Sequence, residues 1–127
     1  MKVSALYHPM TVICNDRESL ADVASRMRFN DVGSAAVLRD GRVAGIITER
    51  DLARAIADGI DARRTVVGDY MTSEPVVVGP DTEAKRAALI MLDAGIRHLP
   101  VVDDDRHLLG LVSVRDVLLE LVSAPQA

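Results

Sequence analysis

Thr48 and Asp51 stand three positions apart in Gly45-Ile46-Ile47-Thr48-Glu49-Arg50-Asp51. The arrangement returns as Ser113 and Asp116 in Gly110-Leu111-Val112-Ser113-Val114-Arg115-Asp116. Each hydroxyl and carboxylate falls where an apolar, strand-like run gives way to a helix-like one. Two chemistries fit. In the first, each pair is a capping box: the hydroxyl accepts an N–H of the first helical turn and the acid answers the cap residue, each cap contributing about 1 kcal/mol. In the second, a carboxylate at a helix start takes two hydrogen bonds from a ribose diol, and the glycine three residues before the hydroxyl keeps a side chain off the floor of a cleft. Capping accounts for the spacing by itself, and one residue pair can do both.

Other chemistry lacks its residues. Catalysis needs a nucleophile with a base, a metal cluster, or paired acids in distinct environments, and none has supporting context, so the chain is read as no enzyme. His98 and His107 have no Cys or acid at metal-ligand spacing, and Asp103-Asp104-Asp105 reads as a solvated hairpin turn, so no metal is expected. His8, before Pro9, reads as an exposed lead-in residue, Met10 and Met71 as core filler, and Glu49 with Arg50 and Arg54 as a helix-surface charge pattern.

Composition narrows the class further. A chain of 127 residues with 49% apolar and 27% charged residues suits one compact domain and is too short for two independent ones. Aromatics are only 2%, so the stacking platforms that hold single-stranded nucleic acid are missing. The net charge is −4, and Arg50, Arg54, Arg63, Arg64, Arg97 and Arg115 are dispersed rather than gathered in a stripe, which argues against nucleic acid. The lone Cys14 makes no intramolecular bridge and fits a small core residue in a reducing compartment. No stretch approaches the roughly 20 apolar residues of a membrane span, and a cytoplasmic protein without membrane contact is expected.

The elements that position the two signatures are duplicated. Val12 matches Val76, Ala24 matches Ala88 and Met27 matches Met91 at a spacing of 64, which becomes 65 after an extra residue in the Asp103–Asp105 loop. A period near half the chain means two copies of one supersecondary unit, each too small to bury its own apolar face, and predicts a shared core. Each copy reads strand, helix, strand, strand, helix. In the first these are Thr11–Cys14, a helix behind Ser19, Ser34–Leu38, Val43–Ile47 and a helix from Thr48. In the second they are Val76–Val78, a helix from Asp81 or Thr82, Leu99–Val102, Leu108–Val112 and a helix after Ser113. Val3–Tyr7 leads into the first copy as Val66–Met71 leads into the second. The copies divide as residues 1–60 and 61–127, with a short tail from Ser123.

The full pattern resembles the CBS domain, named from cystathionine β-synthase, whose tandem pairs form modules that bind adenosine derivatives. The resemblance covers essentially the whole chain. It rests on both glycine-to-aspartate signatures, on Val67-Gly68-Asp69-Tyr70-Met71-Thr72 and on Arg97-His98-Leu99-Pro100-Val101-Val102-Asp103. It implies an α+β fold of two β-α-β-β-α repeats packed with pseudo-twofold symmetry, leaving two clefts. One cleft would centre on Thr48 and Asp51, lined by Ile46, Val76 and Val77, with Arg97, His98 and Arg115 nearby. The other would centre on Ser113 and Asp116, lined by Leu111, Val12 and Ile13, with Gly33, Ser34 and Arg50. Because Gly33-Ser34 stands where the second copy has Arg97-His98, the Asp51 cleft is expected to prefer phosphorylated adenosines. The Asp116 cleft is expected to bind weakly or to take a less charged adenosyl group. No cofactor is required; the candidate ligands are AMP, ADP, ATP, S-adenosylmethionine and NAD.

The second-copy helices are apolar on more than one face: Leu89, Ile90 and Leu92 lie off the Ala84, Ala88 and Met91 stripe, and Leu118, Leu119, Leu121 and Val122 nearly encircle their helix. A homodimer through helices of both repeats follows, or, for the last helix, burial between sheet and terminus in a monomer. The expected function is a stand-alone regulatory module that binds an adenosyl ligand and signals to a partner protein; the alternative is a ligand-free dimeric scaffold.

Overall fold

Both hairpins form where their turn residues direct them. The computed structural model of the chain describes residues 1–10 and 12–123; Thr11 and the tail beyond Ser123 lie outside the described residues. In the first copy a short strand β1 (Ile13–Cys14) lies parallel to β2 (Ser34–Arg39), which pairs antiparallel with β3 (Arg42–Thr48). Asp40 and Gly41 close that hairpin at φ 54° and 78°, the left-handed pair whose twist matches that of the flanking strands. A further strand, β4 (Thr72–Ser73), pairs antiparallel with β3 and gives the order β1-β2-β3-β4. In the second copy β5 (His98–Val102) and β6 (Leu108–Ser113) form an antiparallel pair. Asp103 caps their turn by accepting the His107 and Asp105 amides at 2.8 and 2.9 Å.

Among the described residues four α-helices follow the apolar stripes. They are α1 (Leu20–Phe29), α2 (Glu49–Ala57), α3 (Ala84–Ala94) and α4 (Val114–Ser123). Ser19 caps α1, its hydroxyl accepting the Asp22 amide at 3.1 Å. Gly95, left-handed at φ 67°, ends α3, after which the Ile96 amide turns back to the Met91 carbonyl at 2.9 Å. The start of α3 is later than the expected Asp81 or Thr82. Residues 82–84 are held by the N-terminal segment instead: Val3 donates to the Thr82 carbonyl and Ala84 donates to the Met1 carbonyl, both at 2.8 Å. The expected strand Val76–Val78 is likewise reduced to a single parallel bridge between Val78 and Val101.

The chain divides into two compact units, a first of Met10–Pro75 and a second of Met1–Pro9 together with the chain from Val76 onward. Sequence order places residues 1–9 with the first copy, yet they are built into the unit of the second. Residues 61–75, which precede the second copy, are built into the unit of the first. Val67 and Gly68 donate to the carbonyls of Glu18 and Asp16, both at 2.8 Å. Their counterparts Val3 and Ser4 donate to those of Thr82 and Pro80 at 2.8 and 2.9 Å.

The buried apolar side chains gather accordingly. In the first unit Leu20, Val23, Met27, Val37 and Ile47 cluster with Val67, flanked by Ile60, Tyr70 and Met71. In the second Met91, Leu99, Val101, Val112 and Val117 cluster with Val3, flanked by Leu6 and Tyr7. In place of the one shared core expected, the buried side chains form two clusters, each completed by the segment that leads into the other copy.

Candidate functional site

In the first unit β3 delivers Thr48 in an extended conformation, φ −123° and ψ 167°, directly ahead of α2. The capping box is fully made. Thr48 Oγ1 accepts the Asp51 amide at 3.3 Å. Asp51 Oδ2 in turn accepts the Thr48 amide at 2.9 Å and the Thr48 hydroxyl at 3.0 Å. Asp51 is buried, with 7% of its surface exposed, so these bonds also satisfy a carboxylate that would otherwise be costly to enclose. Its other oxygen, Oδ1, lies 3.6 Å from Arg54 Nη2. Arg54 is itself tied down: it donates to the Tyr70 carbonyl at 2.9 Å and lies 5.4 Å from the centre of the Tyr70 ring. The Tyr70 hydroxyl donates to Asp58 at 2.7 Å, and holding that proton against a carboxylate pushes the Tyr70 pKa upward.

The second unit repeats the box. Asp116 accepts the Ser113 amide at 2.9 Å, and Ser113 Oγ accepts the Asp116 amide at 3.1 Å. The strand before each box is matched as well: Glu49 donates to the Gly33 carbonyl at 3.1 Å and Val114 to the Arg97 carbonyl at 2.9 Å. One difference stands out. The Asp116 side chain is 24% exposed and has His8 Nε2 3.4 Å from its Oδ2. His8 is exposed as expected, but it faces a signature carboxylate, which the sequence reading missed. The duplication carried the signal, because His8 is the counterpart of Thr72, and Thr72 lies beside Ile46 just as His8 lies beside Leu111.

The signature glycines meet the lead-in segments at close range. A Cβ on Gly45 would come within 2.6 Å of Met71 Sδ and 2.9 Å of the Thr72 carbonyl. A Cβ on Gly110 would come within 2.5 Å of both the His8 carbonyl and the Tyr7 ring. Both glycines therefore admit the exchanged lead-in segments.

The remaining expected residues divide between the units. Ile46, two residues before Thr48, is buried and pairs with Thr72. Ser34 is buried and pairs with Thr48, while the Val12 carbonyl accepts the Ala36 amide at 3.1 Å. Ile13 keeps 43% of its surface exposed, and Arg50 is exposed on α2. In the second unit Leu111 is buried beside Ser113 and Asp116, His98 pairs with Ser113, Arg97 and Arg115 are exposed, and Val76 and Val77 precede the bridge at Val78. Thus Thr48, Asp51 and Ile46 lie in one unit and Val76, Val77, Arg97, His98 and Arg115 in the other. Around Gly33 the Glu49 carboxylate takes the space a side chain would need, its Oε1 2.8 Å from the ideal Cβ position.

An open hollow lined by Gly79, Pro80, Asp81, Thr82, Asp103 and Asp104 contains no signature residue, and its acidic rim is unsuited to phosphate. Among the described residues no group of three or more His, Cys, Asp or Glu side chains is placed to hold a metal ion. No helix among them is long and apolar enough to cross a membrane.

Comparison with known proteins agrees with the duplicated architecture. The CBS domain family matches twice, over residues 3–58 and 67–123. The mitochondrial CBS domain-containing protein CBSX3 of Arabidopsis thaliana is 38% identical over 115 residues, covering 86% of this chain and 55% of that protein, so the chain spans about half of its length. The CBS domain protein PAE2072 of Pyrobaculum aerophilum, solved with AMP, is 28% identical. It superposes with a TM-score of 0.86 over 98% of this chain and 100% of that one. The CBS domain pair of protein MJ0100, solved with 5′-methylthioadenosine and S-adenosyl-L-methionine, shares the fold at a TM-score of 0.87 over 96% of each chain, with 22% identity. Two family matches, two capped signatures and two units of like construction lead to one conclusion: this chain belongs to the CBS domain family and is a tandem pair of CBS domains.

Proposed function

We propose that this chain is a regulatory module that binds adenosyl ligands through its Thr48–Asp51 and Ser113–Asp116 signatures and signals to a partner protein. The observation that carries this reading is the repeated capping box. Its backbone and hydroxyl bonds fix each carboxylate at a helix start, and a carboxylate has lone pairs enough to accept ribose hydroxyls in addition. A relative 28% identical to this chain was solved with AMP, which supports the same ligand class here. Exposed apolar side chains at Ile13 and Val76, 43% and 47% open, suit an adenine face. Arg97 is exposed, and a guanidinium suits a phosphate, whereas the Glu49 carboxylate over Gly33 disfavours one near Ser34. As the family resemblance implies, the Asp51 signature is proposed to take phosphorylated adenosines and the Asp116 signature a less charged adenosyl group.

Signalling requires that the ligand bind one arrangement of the protein more tightly than another. No step of this function is catalytic, and the single cysteine fits a reducing, cytoplasmic setting. The decisive experiment is calorimetric titration of AMP into the wild type, Asp51→Ala and Asp116→Ala. Loss of AMP binding mainly in Asp51→Ala is expected; equal loss in both removes the asymmetry, and no binding to the wild type overturns the reading. A thermal-shift screen of AMP, ADP, ATP, S-adenosylmethionine and NAD then ranks ligands, since a specific one raises Tm with its saturation.

The second reading, a ligand-free dimeric scaffold, is favoured by one observation. Leu92, Leu118, Leu119, Leu121 and Val122 leave between 54% and 82% of their surface exposed along α3 and α4. We assign this face to a homodimer, which sedimentation tests by the association state of the wild type against Leu119→Lys.

A further inference from the structure

The second unit carries a histidine that the first lacks, and its surroundings are asymmetric. His8 stands where Thr72 stands in the first unit. Its Nε2 lies 3.4 Å from Asp116 Oδ2 and its Nδ1 lies 3.3 Å from the Pro9 carbonyl. Both ring nitrogens thus face acceptors. A neutral imidazole has one N–H and serves only one of them, whereas an imidazolium donates to both. The Oδ2 atom it meets is the one that already accepts the Ser113 amide. The backbone keeps the ring there, since His8 and Leu111 exchange two hydrogen bonds at 3.0 and 2.8 Å across to β6. From α4 the charged group that faces the ring is Asp116, and β6 meets His8 through the two backbone bonds to Leu111. In the first unit the partners of Asp51 are a threonine and an arginine, neither of which changes charge between about pH 5 and 8.

We propose that His8 is a specificity-determining residue of the Asp116 signature: as an imidazolium it engages the carboxylate that a neutral sugar diol must reach, so capture of an uncharged adenosyl ligand there strengthens as the ring loses its proton. This rests on the ligand reading above and adds to it a residue, His8, and a pH dependence at the Asp116 signature.

Adenosine is the suitable probe, because it carries no phosphate to titrate over the same range. In Asp51→Ala, which retains the Asp116 signature, calorimetry is expected to show adenosine binding about threefold to fivefold tighter near pH 8 than near pH 5.5. Adding His8→Gln to Asp51→Ala, which leaves a donor that does not titrate, should abolish the pH dependence without abolishing binding; His8→Ala provides a second substitution. Binding in Asp51→Ala that is equal at both pH values, or pH-dependent without His8, overturns the proposal and leaves the ligand reading intact. Absence of adenosine binding in every variant overturns both.

Discussion

Val67 donates its amide to the Glu18 carbonyl at 2.8 Å, and Val3 donates to Thr82 at the same distance. Both valines are fully buried, so the bonds are accompanied by apolar packing on a copy that is not the next one in sequence. Val3→Ala and Val67→Ala should each cost about 2 kcal/mol, the loss of two buried methyl groups and the space they leave. Urea denaturation measures the cost, and hydrogen exchange locates it. Val3→Ala should expose β5 and β6, and Val67→Ala should expose β1 to β3; the reverse pattern contradicts the exchange of lead-ins.

Gly45→Ala and Gly110→Ala should both destabilise, Gly110→Ala the more. The nearest atom to a Cβ at Gly45 is the flexible Met71 sulfur, whereas at Gly110 it is the His8 carbonyl together with the Tyr7 ring. Overpacking of this kind costs about 1 to 3 kcal/mol. A smaller Tm drop for Gly110→Ala than for Gly45→Ala would show that the Tyr7–His8 segment yields readily.

Burial raises the Cys14 thiol from 9.0 to about 11, with the Glu18 carboxylate adding to the rise. The folded value exceeds the unfolded one, so the stabilisation is complete below about pH 9 and disappears as pH climbs through about 11. Unfolding free energy measured from pH 8 to 11 should therefore fall more steeply for the wild type than for Cys14→Ala. Iodoacetamide should label the native protein slowly at pH 8 and the urea-unfolded chain rapidly.

Arg97→Gln should weaken AMP binding about tenfold while leaving adenosine nearly unchanged, because a guanidinium contributes to a phosphate and not to a sugar. Glu49→Gln should improve AMP binding in Asp51→Ala. Calorimetry with both ligands measures these effects; an equal effect of Arg97→Gln on adenosine shows that Arg97 acts by another route.

The sequence made local features legible where a residue type has few conformational options. Asp40-Gly41 specified its turn, Ser19 its cap, and the threonine and serine signatures their boxes, because each rests on bonds within three or four residues. Glu83 illustrates the limit. It occupies the position of Ser19 in the duplicate, makes no side-chain cap, and α3 begins where Met1 and Val3 tie down the backbone. No pattern internal to residues 81–94 reports that. His8 was hidden for the same reason, since its environment comes from α4 and β6, a hundred residues along the chain. The site is legible as two capped carboxylates; the neighbours that distinguish them came from the fold.

Exchange of the lead-ins bears on how such a protein arises. A solitary ancestor carrying one lead-in and one repeat would leave its own packing site for that segment vacant, and could fill it only by trading arms with an identical molecule. Duplication within one gene turns that reciprocal loan into an internal transaction, after which the halves are free to diverge, as His8 and Thr72 have.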